Sequence, residues 1–195
     1  MEIRDIRCSD LEEVVEIHCA QFPGFFLTKM GPSFLFNFYK TGLECDTVVA
    51  VLGVEGNQKV GFAIGFGEAE QFKYMLKKKA VRFVIPLVLR FAAKPTLIFL
   101  VIQRAIQFFF SNRQEVTSVS ELSSLAAIEN SSGYGSLILE GFLSRCRSRG
   151  FQYLELSTDN VSNDRVHEFY HRNGFRKIRL LDQGKREMAI FGKHL

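Results

Sequence analysis

Two glycines, Gly133 and Gly135, stand between a β-rich stretch and an amphipathic helical stretch, in a loop of small polar residues. Glycine lets the main chain approach a ligand closely, and the first amides of a helix have no intrahelical partners. With the positive end of the helix dipole, such amides bind anions, and a diphosphate suits them well. A plain loop with a glycine cap explains the same residues, so this fragment alone leaves both interpretations open. A dinucleotide-binding motif fits less well, because its third glycine would fall on Ile138.

A second segment, residues 163–175, shifts the balance towards a ligand site. It reads NDRVHEFYHRNGF and follows the next predicted strand. Together the two segments resemble the GNAT superfamily of acyl-CoA N-acyltransferases. The loop NSSGYG at residues 130–135 is similar to the pyrophosphate-binding signature Arg/Gln-x-x-Gly-x-Gly/Ala, and the later segment is similar to the ending N-x-x-A-x-x-x-Y-x-x-x-G-F. Asn130 stands where the family has Arg or Gln, and the loop is about two residues shorter than the common pattern, so we expect weakened rather than abolished binding of coenzyme A.

The resemblance implies that the chain binds acetyl-CoA, or another acyl-CoA, as its co-substrate and needs no metal. The main chain of residues 125–127 would pair with the pantetheine arm, and the amides of residues 131–136 would hold the pyrophosphate. Asn163 would touch the pantetheine region. The implied cofactor-binding residues are Leu125, Ala126, Ala127, Asn130, Ser131, Ser132, Gly133, Tyr134, Gly135, Ser136 and Asn163.

Acyl transfer from a thioester to an amine needs three groups. A base must take the proton of the attacking amine, and we expect Glu121, on the strand before the loop, in that role. A main-chain N–H around residues 125–127 would hold the oxyanion of the tetrahedral intermediate. The resemblance implies that Tyr170 protonates the departing thiolate. The structural alternatives are a partly exposed strand carboxylate for Glu121 and a packed aromatic residue beside Phe169 for Tyr170.

The pattern of apolar and turn residues predicts the element order β-α-α-β-β-insert-β-α-β-α-β-β. The first helix is expected to begin with a capping box made by Ser9 and Glu12, and the second at Gly31-Pro32. We therefore expect one domain over residues 1–195, of mixed α/β (α+β) class, with the mostly antiparallel central sheet and flanking helices that the GNAT resemblance implies. Strands are predicted at residues 3–6, 47–54, 59–66, 115–127, 152–157, 178–181 and 186–191, and the later helices at residues 136–149 and 163–172.

Residues 70–112 form a basic, apolar insertion, expected to be helical, in the middle of this domain. Within it, residues 73–82 are expected to form one basic, helix-like run. Of the 25 Lys and Arg residues, nine lie from residue 71 to residue 113, where there is no Asp or Glu, which leaves 16 against 21 acidic residues elsewhere. The longest uncharged run, residues 95–103, is far shorter than the roughly twenty residues that cross a bilayer. Either short helices pack on the sheet or on a second subunit of a homodimer, or a lid lies on an anionic membrane surface or holds an anionic acceptor. Nucleic acid is a poor fit, because the basic residues interleave with aliphatic ones.

The acceptor is expected to be a small-molecule amine. The runs QFPGFFLT at residues 21–28 and PSFL at residues 32–35 resemble members of the superfamily found with surface-polysaccharide biosynthesis, which implies an amino sugar. The alternatives are a protein or peptide amine, or a non-catalytic module that binds coenzyme A or a membrane surface. Four widely spaced cysteines and an N-terminus without an apolar secretory stretch lead us to expect a cytoplasmic protein with reduced thiols.

Overall fold

The computed structural model describes residues 1–95, 120–128, 133–182 and 186–195. The strands are β1 (Glu2–Asp5), β2 (Val48–Glu55), β3 (Gln58–Phe66), β4 (Ser120–Ala127), β5 (Tyr153–Asp159), β6 (Arg176–Asp182) and β7 (Glu187–His194). Within the described residues these seven strands form one sheet in the order β1-β2-β3-β4-β5-β7-β6. Each neighbouring pair is antiparallel except β4 and β5, which run parallel. The predicted mixed fold with a mostly antiparallel sheet is confirmed.

The helices were also predicted in type and order, apart from one short addition. A 3-10 turn over Cys8–Asp10 precedes them, and α2 was not predicted. They are α1 (Leu11–Gln21), α2 (Phe26–Met30), α3 (Pro32–Leu43), α4 (Ala69–Lys78), α5 (Val81–Ala93), α6 (Tyr134–Ser148) and α7 (Asp164–Arg172). No helix among the described residues has both the length and the apolar character needed to cross a bilayer.

The chain divides into two compact units. The sheet unit comprises Met1–Ile6, Thr47–Ala69 and Ser118–Leu195, and the helical unit comprises Arg7–Asp46 and Glu70–Thr117. The strands with α6 and α7 therefore belong to the first unit, and the helices from α1 to α5 lie essentially in the second. The single domain over residues 1–195 stays a prediction.

The core of the sheet unit forms where α6 packs on one face of the sheet. Its buried residues Ile138 and Phe142 meet β3 at two glycines: a Cβ at Gly61 would lie 2.6 Å from Ile138 Cδ1, and one at Gly65 would lie 2.7 Å from Phe142 Cζ. The absence of side chains there lets the helix approach the strand closely. Burying each large apolar side chain contributes about 1.5–3 kcal/mol, so this contact stabilises the position of α6 on β3. The position of α6 in turn sets where its first turn lies.

The start of α1 differs from the prediction. The predicted capping box of Ser9 and Glu12 is wrong, since the Arg7 amide donates instead to the Asp10 carboxylate at 2.8 Å, and Asp10 is buried. The reason is the 3-10 turn before α1. Because this turn begins at Cys8, the amide that needs an acceptor is that of Arg7. The predicted start of the next long helix is confirmed, with Gly31 at the N-cap and Pro32 in the first turn of α3.

The described part of the insertion is helical, and its helices are divided differently from the prediction. The basic run was expected to continue to Arg82, but α4 ends at Lys78 and α5 begins at Val81 with Pro86 inside it. Proline has no N–H to donate to the carbonyl four residues earlier, which is that of Arg82. The Asn37 carboxamide donates to that carbonyl at 3.1 Å and satisfies it. Residues 96–112 of the predicted insertion lie outside the described residues.

In the helical unit, α1 and α3 bury a polar pair. His18 is 3 % exposed, and its Nδ1 lies 2.6 Å from the Tyr39 hydroxyl oxygen. Its Nε2 is buried and has no hydrogen-bond partner among the residues that the structure describes. Burial lowers the pKa of the imidazole from 6.5 to about 4, because the interior disfavours the charged form.

This pair makes the free energy of unfolding depend on pH. The unfolded chain binds a proton at His18 near pH 6.5 and the folded chain only near pH 4, so stability is lost as the pH falls through that window. The loss reaches about 3 kcal/mol by pH 4. We compare urea unfolding of the wild type and of His18→Gln at pH 7 and pH 4. From pH 7 to pH 4 the wild type should lose about 3 kcal/mol more of its free energy of unfolding than the variant. A difference in stability that does not change with pH would contradict the buried neutral state of His18.

Candidate functional site

The two parallel strands of the sheet separate part of the way along their length. β4 and β5 pair at three positions, Ser120 with Leu154, Glu121 with Glu155 and Leu122 with Leu156. Beyond these positions the strands continue to Ala127 and Asp159 without pairing to each other. A gap that is bordered by strand main chain therefore opens between them within the described residues.

A β-bulge marks the point of separation. On β3, Ile64 pairs with Ser124 and the next residue, Gly65, pairs with Leu122, so Ser123 is an extra residue on β4. A bulge bends its strand and increases the local twist. The bend falls at the first residue of β4 beyond the last pair with β5, so it directs the end of β4 away from its parallel neighbour.

The far half of β4 presents main-chain groups to this gap. The Ile128 amide donates to the Val60 carbonyl on β3 at 2.9 Å. Successive residues of a strand direct their polar groups to opposite edges, so Ala126 also faces β3, while the N–H and C=O groups of Leu125 and Ala127 face the gap. Two of the three residues predicted to pair with an extended ligand thus point towards it.

The start of α6 follows the end of β4 and provides amide donors that have no partner within the helix. Gly133 is its N-cap, with φ of 105°, a conformation that favours glycine. The first helical hydrogen bond runs from the Leu137 amide to the Gly133 carbonyl at 3.1 Å. The amides of Tyr134, Gly135 and Ser136 come before it and have no partner within the helix. They form the described part of the predicted anion site. Asn130, Ser131 and Ser132 lie outside the described residues.

Close contacts join the start of α6 to α7. A Cβ at Gly135 would lie 3.3 Å from the ring of Phe169, so the absence of a side chain allows the approach. The Asn173 carboxamide donates to the Ser136 hydroxyl at 3.3 Å. The helix that carries Tyr170 is therefore held against the first turn of α6.

Tyr170 is buried in the same apolar cluster that borders the gap. It is 8 % exposed, with its ring 5.2 Å from Phe169, 5.6 Å from Phe175 and 5.8 Å from Phe191 between centroids. The cluster also contains Leu122 and Leu156, the last paired residues of β4 and β5, and Leu125, Ala127 and Tyr134 pack against it. Burial raises the pKa of the phenol, which is therefore protonated at neutral pH. The structure thus brings Tyr170 together with the predicted residues of β4 and α6.

Asn163 stands at the N-cap of α7, and its side chain binds the end of β5. The carboxamide nitrogen donates to the Thr158 hydroxyl at 2.8 Å and to the Asp159 carbonyl at 3.0 Å. These bonds fix α7 to the strand that borders the gap. The predicted contact of Asn163 with a ligand stays a prediction, and its nitrogen already has structural partners.

Glu121 is half-buried on β4, before the bulge. Its register partner on β5 is Glu155, so the two carboxylates start from the same face of the sheet. Arg179 binds Glu155 with both guanidinium nitrogens, at 2.9 and 3.3 Å, and offsets one of the charges. Glu155 was not predicted as a site residue. The alternation of β5 predicted only the face on which it lies, because the pairing with β4 is not encoded locally.

No protein-family model and no curated protein matches this sequence. Solved structures do match along the whole chain. A ribosomal-protein-alanine N-acetyltransferase from Brucella melitensis aligns with a TM-score of 0.64 and 16% identity, covering 100% of both chains. A PaiA N-acetyltransferase from Thermoplasma acidophilum in complex with coenzyme A has a TM-score of 0.61 and 14% identity, covering 100% of this chain and 98% of the other. An agmatine N-acetyltransferase has a TM-score of 0.62 and 15% identity, covering 100% of this chain and 99% of the other.

Similar structures also include acetyltransferases of the GNAT family. At these identities the likeness establishes the fold: the chain has the fold of the GNAT acetyltransferases. The resemblance drawn from the loop and from residues 163–175 is confirmed at that level. The described residues contain no cluster of three or more His, Cys, Asp or Glu side chains that could hold a metal ion.

The hydrogen bonds of Asn163 predict a measurable effect on stability. Replacing Asn163 with Ala removes both bonds to β5 and should lower the free energy of unfolding by about 1–2 kcal/mol in urea titrations. Asn57 is exposed at the β2–β3 turn and provides the control, with an expected change of less than about 0.5 kcal/mol on substitution by Ala. An Asn163→Ala variant that keeps wild-type stability but loses affinity for coenzyme A would instead show a ligand-binding residue.

Proposed function

We propose that the protein is an acyl-CoA-dependent N-acyltransferase that transfers an acetyl, or another short acyl group, to a primary amine. The observation that carries this proposal is the opening between β4 and β5 beside the start of α6. An extended ligand arm with amide groups can hydrogen-bond to the gap-facing groups of Leu125 and Ala127 as an added strand would. A diphosphate on the same ligand suits the amides of residues 134–136. Acyl-CoA carries both features in one molecule.

The coenzyme A of two similar structures supports this proposal. The PaiA N-acetyltransferase was crystallised with coenzyme A, and an aminoglycoside 6'-N-acetyltransferase that aligns with this chain was also complexed with it. In this chain the same ligand would be held mainly by the main chain, since Gly133 and Gly135 contribute no side chains. Binding therefore depends on the backbone conformation of the loop more than on any single side chain.

The chemistry proposed for the site uses three groups of this chain. The neutral amine attacks the thioester carbonyl carbon, and the Glu121 carboxylate accepts its proton, directly or through water. The N–H of Leu125 or Ala127 hydrogen-bonds the oxyanion that forms. The C–S bond then breaks, and the Tyr170 hydroxyl donates a hydrogen bond to the departing sulfur.

The high pKa of Tyr170 refines its role. A thiol ionises with a pKa of roughly 8.5, below that of the buried phenol, so complete transfer of the phenolic proton to the thiolate is unfavourable. A protonated phenol is nevertheless always available as a donor at neutral pH. We therefore assign Tyr170 the stabilisation of charge on the sulfur by a hydrogen bond, with the proton moving only as far as that bond requires.

The acceptor in this proposal is a small-molecule amine, and an amino sugar is the specific candidate. The carboxylates of Glu121 and Glu155 on one face of the sheet suit an acceptor that arrives as a cation. Neighbouring structures include an agmatine N-acetyltransferase and an aminoglycoside 6'-acetyltransferase, both named for amines. A protein or peptide amine is the alternative, favoured by the likeness to a ribosomal-protein-alanine N-acetyltransferase.

A free-thiol assay with acetyl-CoA across amino sugars, polyamines and peptides separates these classes, and turnover with none of them would favour a non-catalytic module.

The cytoplasmic location belongs to the same proposal. None of the four cysteines forms a disulfide, and two of them, Cys45 and Cys146, are buried. Burial raises the pKa of the Cys146 thiol to about 12, which keeps it protonated and unreactive. Buried thiols that form no disulfide are typical of proteins that fold in a reducing compartment.

Replacing Tyr170 with Phe tests the role of the hydroxyl. The ring and its contacts remain, so the affinity for coenzyme A, measured by calorimetry, should stay within about twofold, whereas kcat should fall by about a hundredfold. Tyr74 is 61 % exposed on α4, and Tyr74→Phe provides a control that should change neither value. Equal losses of affinity and turnover in Tyr170→Phe would show a packing role instead.

Replacing Gly133 with Ala tests the anion site at the start of α6. Gly133 and Gly150 both have positive φ, 105° and 79°, and a Cβ at either would meet open space. Ala at either position should therefore cost about 1–2 kcal/mol of stability, because only the backbone conformation is strained. Only Gly133→Ala should also lower the affinity for coenzyme A, by about tenfold in calorimetry, because each good hydrogen bond to a charged group contributes that much. Similar affinities in the two variants would exclude the loop from the binding site.

A further inference from the structure

The second helix of the insertion leaves an apolar stripe in water. The stripe follows one face of α5 at the spacing i, i+3, i+4, i+7 and i+8, which is the pattern of an amphipathic helix. Its members are between 53 % and 81 % exposed, unusually high values for adjacent aliphatic side chains. We call it the α5 stripe, and it consists of Val81, Val84, Ile85, Val88 and Leu89. A contiguous apolar surface of this kind marks an interaction site.

The opposite face of α5 is fixed to the helical unit. Phe83 is buried, with its ring centroid 4.9 Å from that of Phe34 on α3. The Arg82 guanidinium donates to the Glu44 carboxylate at 2.8 and 2.9 Å, and Arg90 Nε donates to the Lys29 carbonyl at 2.8 Å. Both ends of the helix are thus tied down, and the stripe is held outwards by contacts that it does not itself make.

Positive charge flanks the stripe at both ends. Lys78 closes α4 just before α5 begins, Lys94 follows its last residue, and both are exposed. α5 contains no Asp or Glu, and the carboxylate of Glu44 beside it already binds Lys79 and Arg82. The surface around the stripe therefore carries a net positive charge.

The composition of the stripe favours lipid over a protein partner. Protein interfaces depend on aromatic side chains and Arg as anchors, whereas Leu and Val are under-represented among the residues that dominate their energetics. The stripe has only Val, Ile and Leu, with lysines at its borders. That arrangement is typical of helices that lie in the interface of a bilayer, with apolar side chains among the acyl chains and lysines at the headgroups.

We propose that the α5 stripe binds the surface of an anionic lipid bilayer, with Lys78 and Lys94 at the lipid phosphates. A helix of 13 residues is about 20 Å long, against a hydrocarbon core of about 30 Å, so it lies in the plane of the membrane and does not cross it. Attraction to anionic lipid comes from the lysines and insertion comes from the aliphatic side chains. The inference is independent of the acyl-transfer proposal, since it uses none of the residues between β4 and α7.

The test is sedimentation of the full chain with phosphatidylcholine vesicles, with and without phosphatidylglycerol. The wild type should bind the anionic vesicles more tightly, by about tenfold or more, and salt should weaken that binding. Ile85→Gln with Leu89→Gln should reduce binding by at least about tenfold. Lys78→Glu with Lys94→Glu should remove the preference for anionic lipid. The matched control, Ile178→Gln with Leu180→Gln, alters two exposed aliphatic residues on β6 and should bind like the wild type.

Three results would overturn the proposal. In the first, the wild type does not sediment with anionic vesicles. In the second, the stripe variant and the β6 variant bind the vesicles equally. In the third, vesicle binding is absent, and light scattering shows a dimer that Ile85→Gln with Leu89→Gln converts to a monomer. The last result would assign the stripe to a second copy of the chain. Circular dichroism confirms the fold of each variant, and the lysine variant, which leaves the stripe intact, decides the question if the double Gln variant does not fold.

Discussion

The departure of β4 from β5 after Leu122 is the constraint on which the candidate site depends. Two parallel strands that stayed paired would use the main-chain groups of Leu125 and Ala127 on each other. The extra residue Ser123 bends β4, and those groups face a gap instead. Main-chain donors and acceptors in a protein interior are costly without partners, so a sheet that keeps such a gap is built for a ligand or solvent to complete it.

The remaining parts of the site are positioned by packing that serves the same opening. Helix α6 sits close on β3 because Gly61 and Gly65 leave room for Ile138 and Phe142. Its first turn therefore lies at a fixed point past the end of β4. Helix α7 is held to that turn through Gly135 and to β5 through Asn163, so the buried Tyr170 cannot move independently of the strands. One apolar core thus positions the amides at the start of α6, the edge of β4 and the Tyr170 phenol.

Local patterns predicted those elements whose causes are local. Gly133 and Gly135 marked a helix start, and residues 163–175 marked a strand-to-helix junction, because turn chemistry and helical periodicity act over a few residues. The bulge at Ser123 could not be predicted, since it exists only relative to the register of β3. The partnership of Glu121 with Glu155 was hidden for the same reason: strand neighbours are a property of the assembled sheet.

Errors arose where one local signal competed with another or with a distant residue. Ser9 and Glu12 fit a capping pattern, yet Asp10 took the amide of Arg7 because a 3-10 turn starts first. The prediction that the basic run would extend through Arg82 missed the helix break that precedes Val81.

The bond between Asn37 and the Arg82 carbonyl has a consequence for how this chain can change over time. The bond compensates for the donor that Pro86 lacks, so a different residue at position 86 would return the carbonyl to its own helix and leave the Asn37 carboxamide with its bond to the Ser33 carbonyl. Replacing Asn37 alone would remove the side-chain donor to the Arg82 carbonyl, which Pro86 cannot replace. Positions 37 and 86 are therefore coupled through the main-chain carbonyl of residue 82. Relatives of this chain should change positions 37 and 86 together. The side chain at position 82 is not constrained by this bond.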